Sequence, residues 1–77
     1  MEAKYFDKLT SREKEILYWL SQGLSNAEIA SRTVLSEKTV KNHVSHILKK
    51  LGLRDRTQAA VMAWRTGFAR QERIMGA

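Results

Sequence analysis

The side chains best suited to engage another molecule lie between Lys38 and Lys49. At about 100° per helical residue, Lys38, Lys41, Asn42, Ser45 and Lys49 fall in one arc of a helix, and that arc holds no carboxylate. A merely solvated face mixes its signs and places Glu four residues ahead of Lys. Here the ammonium groups can meet phosphate oxygens. The Asn42 amide, on a residue with little helix preference, can pair with an adenine edge in a major groove. Asn42 is therefore the candidate for sequence preference that the arc itself offers, each good base contact being worth roughly 1–3 kcal/mol of discrimination. Lysines that meet only phosphate would strengthen binding to every sequence alike.

Other chemistries find less support. His43 and His46 stand three residues apart on the same helix, a spacing that suits a metal, but that helix offers no nearby carboxylate and the chain has no cysteine. Both are expected to flank the polar arc instead. Glu13 and Glu28 occupy capping positions and Glu15 is expected in solvent, so the glutamates do not form an acid–base pair. There is no glycine-rich phosphate loop, nucleophile elbow or zinc motif. The expectation is a binding protein with no cofactor, not an enzyme. Trp19, Tyr5 and Phe6 lie outside the basic helix and read as packing groups.

A helix that presents this arc needs something to bury its other side. Val40, Val44, Ile47, Leu48 and Leu51 form an apolar arc centred about 130° away. Helix-start signals precede four segments: the capping boxes Thr10–Glu13 and Ser25–Glu28, Ser36 ahead of the basic helix, and Asp55 with Gln58. Gly23, Gly52 and Gly67 follow three of the segments where a left-handed residue ends a helix. The expectation is an all-α, four-helix domain with helices at about 11–22, 26–32, 37–51 and 56–66. Ile16, Leu17, Leu20, Leu24, Ile29, Ala30 and Leu35 continue the interior. The second helix, about two turns long, cannot persist alone. With the tight turn at Arg32–Leu35 it makes a helix-turn-helix spanning about 24–43. Residues 1–8 read as a lead-in, 9–67 as the domain and 68–77 as a polar extension.

In the fourth helix, Ala59, Met62 and Ala63 serve the core. Thr57, Ala60, Val61 and Trp64 recur on a partly separate side, where Trp64 either closes a small core or belongs to a contact surface.

With 77 residues the chain suits one small domain. The absence of cysteine excludes disulfides and thiolate metal sites, and a cytoplasmic location is expected. No run is long and apolar enough to span a membrane, and "MEAKYFDK" has no signal-peptide pattern. Formal net charge is +6. Between Ser36 and Arg56, Lys38, Lys41, Lys49, Lys50, Arg54 and Arg56 face only Glu37 and Asp55, which puts +4 of that total in one segment. Such concentration reads as an electrostatic footprint for a polyanion.

The ordered segments "LTSREKEIL", "GLSNAEIA", "LSEKTVKNHVSHILKKLG" and "RTQAAV" resemble the LuxR/FixJ/NarL-type (GerE-like) DNA-binding domain over about Leu9 to Gly67. The resemblance implies a four-helix unit whose third helix reads the major groove of double-stranded DNA and whose fourth forms a two-fold homodimer. Such a unit is usually the C-terminal output domain of a two-component response regulator or quorum-sensing regulator, or a standalone transcriptional regulator. RNA polymerase is a further candidate partner. By matching positions, Lys38, Lys41, Asn42 and Ser45 are implied to contact bases, and Ser25, Asn26, Thr39, His46 and Lys49 the backbone. Thr57, Ala60, Val61 and Trp64 are implied to pair two copies. Val34 stands where many repressors have glycine, which argues only against a repressor-type subclass. Two alternatives compete: a sigma region-four-like module that needs core polymerase, and a helical protein-interaction module with an acidic partner.

Overall fold

Each of the four longer helices among the described residues starts at a short polar residue whose side-chain oxygen takes a backbone N–H that the first turn leaves unpaired. In the computed structural model, which describes residues 5–70, Thr10 opens α1 (Ser11–Ser21), Ser25 opens α2 (Asn26–Thr33), Ser36 opens α3 (Glu37–Leu51) and Asp55 opens α4 (Arg56–Arg65). Both expected capping boxes close reciprocally. Glu13 N–H donates to Thr10 Oγ1 at 3.1 Å while Glu13 Oε1 accepts from Thr10 N–H at 2.9 Å. Ser25 and Glu28 repeat the pattern at 3.2 and 2.8 Å. At α4 the Asp55 carboxylate takes the Gln58 N–H, and the Gln58 side chain reaches back one residue further, to the Arg54 N–H.

The turn between α2 and α3 is tight because Val34 adopts the left-handed conformation at φ 57°, ψ 42°. Its N–H still reaches Ala30 O, and the next residues, Leu35 and Ser36, lead directly into α3. A β-branched side chain is poorly suited to this region, and Val34 gains nothing by burial, being 90% exposed. At the other end of α3, Gly52 takes the same conformation at φ 70° without a Cβ to clash.

The interior is a single cluster. Ile16, Leu17, Ile29, Val40 and Ile47 are fully buried, and each contributes about 1.5–3 kcal/mol by leaving water. Val44 and Leu51 complete the buried face of α3, while Leu48 lies at its margin. α1 packs against both α3 and α4, and α2 packs against α3. Among the described residues there is no strand, and no helix is long and apolar enough to cross a membrane.

The packed unit extends past the ends suggested by the periodic pattern. Phe6, assigned above to a lead-in, is buried and lies against Phe68 with ring centroids 4.6 Å apart. Phe68 and Ala69, assigned to a polar extension, are buried in a short 3₁₀ turn, Phe68–Arg70, and Gln22 Nε2 donates to Ala69 O at 2.7 Å. Both segments are too short to show a period, yet each supplies an aromatic ring that fills the end of a small core. The rest of the expected lead-in and extension, residues 1–4 and 71–77, lies outside the described residues.

Candidate nucleic-acid interface

α3 separates its two faces cleanly. Lys38, Lys41, Asn42, Ser45, His46 and Lys49 are all exposed, while Val40 and Ile47 on the opposite side are fully buried. Among the described residues Lys38, Lys41 and Lys49 form no ion pair. The arc therefore offers three uncommitted ammonium groups, an amide and a hydroxyl on one rigid rod. Thr39 differs from its neighbours. It is half-buried, and its Oγ1 accepts a hydrogen bond from the Ser36 hydroxyl at 2.9 Å.

His43 corrects an expectation: it does not flank the polar arc. It is half-buried, its Nδ1 is sequestered with no partner among the described residues, and it lies near Glu13 of α1. The reason is angular, since residue 43 stands about 85° from the centre of the apolar stripe but about 145° from the centre of the polar one. His46 alone of the two histidines is exposed.

The start of α2 brings Ser25 and Asn26 together with Arg56 from α4. Arg56 Nη1 donates to Asn26 Oδ1 at 2.7 Å and Nη2 to Leu24 O at 3.0 Å, which ties α4 to the entry of the helix-turn-helix. Ser25 is exposed, and its oxygen is already the α2 cap. An open cleft of about 550 Å³ lies here, lined in part by Ser25, Asn26, Arg56 and Glu37.

Two cations of the basic segment are thus committed internally, and neither commitment shows in the spacing of residues. Arg56 is one. Lys50 is the other: its Nζ lies 2.8 Å from Glu13 Oε1, and that carboxylate is almost fully buried. Burial pushes the Glu13 carboxyl up, but the Lys50 ammonium and the Thr10 N–H outweigh it, so its pKa lies below the ordinary carboxylate value. Glu28 is also held low, by hydrogen bonds from Ser25 in its capping box.

On α4, Thr57, Ala60, Val61 and Trp64 do share one surface, a shallow groove of about 410 Å³ bordered by Arg56 and Arg65. Trp64 is anchored within the fold and still accessible at its surface. Its Nε1–H donates to Ser21 O at 2.8 Å, fixing the ring to α1, yet the side chain stays 42% exposed beside an exposed Val61. Trp19 packs as expected, half-buried beneath the Arg32 guanidinium at 4.4 Å.

Comparison with known proteins places this arrangement among relatives. The model of "Bacterial regulatory proteins, luxR family" matches residues 7–63, a family of regulatory proteins rather than enzymes. The chain is 56% identical over 61 residues to the transcriptional regulatory protein LnrK of Bacillus subtilis, covering 79% of this chain and 28% of that protein. It is 52% identical over 62 residues to the response regulator protein VraR of Staphylococcus aureus, covering 80% and 30% respectively. The chain thus spans less than a third of the length of these curated relatives. A solved structure described as the transcription factor GerE superimposes with a TM-score of 0.71 at 40% identity, covering 80% of this chain and 92% of that one.

Proposed function

Because the chain belongs to the luxR family of bacterial regulatory proteins, we propose that it is the sequence-specific DNA-binding unit of a transcriptional regulator, with α3 in the major groove. The observation that carries this reading is the exposed, acid-free arc of α3 set against a fully buried opposite face. Lys38, Lys41, Asn42 and Ser45 read base edges. Lys49, His46 and Thr39 meet the backbone beside them, and Ser25 and Asn26 meet a phosphate at the positive end of α2. Two copies pair on two-fold related half-sites through Thr57, Ala60, Val61 and Trp64, so that each half-site receives one α3. The curated relatives named as regulatory and response-regulator proteins favour an output domain that acts in the cytoplasm, controlled by a further part of a longer protein.

Selection of bound duplexes from a random pool supplies the cognate site. Titration at two salt concentrations then tests the reading, since binding should weaken steeply with salt. Lys41→Ala should lower the ratio of cognate to scrambled-site affinity by about fivefold or more, the equivalent of one base contact. Equal weakening on both duplexes would make Lys41 a phosphate anchor. A wild-type chain that binds no duplex at low salt would overturn the DNA reading and favour an acidic protein partner.

A further inference from the structure

The recognition helix of a helix-turn-helix is usually considered with the helix that precedes it, yet here its far end is held from elsewhere. Leu51 is the last residue of α3, so its carbonyl has no N–H one turn ahead in the helix. It accepts instead from the Tyr5 hydroxyl at 3.0 Å, across 46 positions of sequence. One residue earlier, Lys50 Nζ donates to the buried Glu13 Oε1 at 2.8 Å. At the near end, Arg12 Nη1 donates to Thr33 O at 3.2 Å, immediately before the left-handed Val34. All three gripping groups come from the first 13 residues of the chain.

We propose that Tyr5 and Glu13 are positioning residues which grip the carboxyl end of α3, through Leu51 and Lys50, and so set the angle at which its polar arc meets base edges. The inference rests on the DNA-binding reading given above. Its leverage follows from length. Fifteen helical residues span about 22 Å, so a rotation of about 5° about the middle moves either end by about 1 Å. That displacement is enough to break a base hydrogen bond, whose useful range is a few tenths of an ångström, while phosphate attraction falls off gently with distance. Loss of the grip should therefore cost discrimination before it costs affinity. Lys50 is then no DNA contact, although its charge and its neighbour Lys49 suggest one.

Two variants test this on the 77-residue chain, with melting measured alongside. Tyr5→Phe keeps the ring and removes only the hydroxyl; Lys50→Met keeps the stem and removes the charge. Both should lower the cognate-to-scrambled affinity ratio by about fivefold or more, the value of a single base contact, with the salt dependence of binding unchanged. A Lys50 that served phosphate would instead weaken both duplexes equally and reduce the salt slope by about one, which would overturn the proposal. So would variants that melt earlier but keep the wild-type ratio, since that is what purely structural contacts do. If the wild type discriminates and Tyr5→Phe matches it, the grip alone is refuted; if the wild type binds no DNA, both readings fall.

Discussion

Replacing Val34 by glycine should make this domain more stable, although it deletes an apolar side chain. Val34 sits at φ 57° and is 90% exposed. A left-handed conformation costs an L-residue about 1–2 kcal/mol, and β-branching places valine at the upper end of that range. Full burial of a valine would return about 1.5–3 kcal/mol, but at this exposure only about a tenth of that is realised. Against the relieved strain stands the extra freedom that glycine gives the unfolded chain, about 0.4–1 kcal/mol. The net expectation is a gain of about 0.5–1 kcal/mol, which in a domain of this size raises the melting temperature by about 2–8 °C. Helix circular dichroism followed through thermal and urea unfolding measures it. Val34→Ala is the control: it retains the Cβ and should change stability by less than about 0.5 kcal/mol. If Val34→Gly melts at or below the wild type while Val34→Ala is neutral, the isopropyl group must make a stabilising contact that its exposure denies, and the reasoning fails.

The Glu13 and Glu28 carboxyls lie low in the folded protein, so they stabilise it above the unfolded carboxylate range near pH 4.3 and lose that contribution as pH falls through their folded values. Urea midpoints should hold steady from pH 7 to about 5 and then decline, less steeply in Glu13→Gln; an identical decline in that variant would remove Glu13 as a cause. Val61→Glu places a charge on the exposed groove of α4 and should leave melting within about 0.5 kcal/mol of wild type. It should also lower affinity for a two-half-site duplex by about tenfold or more, with single-half-site binding unchanged. Light scattering that shows one wild-type protein per two-half-site duplex would sink the pairing model on which this rests.

The helices were legible because their ends are chemical events. Thr10, Ser25, Ser36 and Asp55 each place an oxygen on an orphan N–H, and that requirement is local enough to read from four consecutive residues. The buried stripe of α3 was legible because a period extends over its 15 residues. Phe6 and Phe68 carried no such signal. Each lies in a segment shorter than a period, and their contact joins the two ends of the chain, so only tertiary packing could reveal it. His43 differs: its angle, about 145° from the centre of the polar arc, already sets it apart from His46, and the fold adds only that α1 with Glu13 lies on that flank.

Charge shows most sharply where counting residues stops short of function. Six cations stand between Ser36 and Arg56, and by composition they are equivalent. The fold divides them. Lys50 turns toward the buried Glu13 and Arg56 toward Asn26 and Leu24, each a contact of α1 or α4 with an end of the helix-turn-helix. Lys38, Lys41 and Lys49 remain exposed on the arc. The division follows from which flank a lysine occupies: residues 50 and 41 lie about 105° and 75° from the centre of the apolar stripe, but on opposite sides of it, and residue 50 stands on the side that meets Glu13 of α1. A lysine on the flank that faces α1 can reach the buried Glu13; Lys38, Lys41 and Lys49 are turned elsewhere and stay exposed. The neighbouring helix thus separates cations that brace the fold from those left exposed for a ligand, and the same net charge serves both uses.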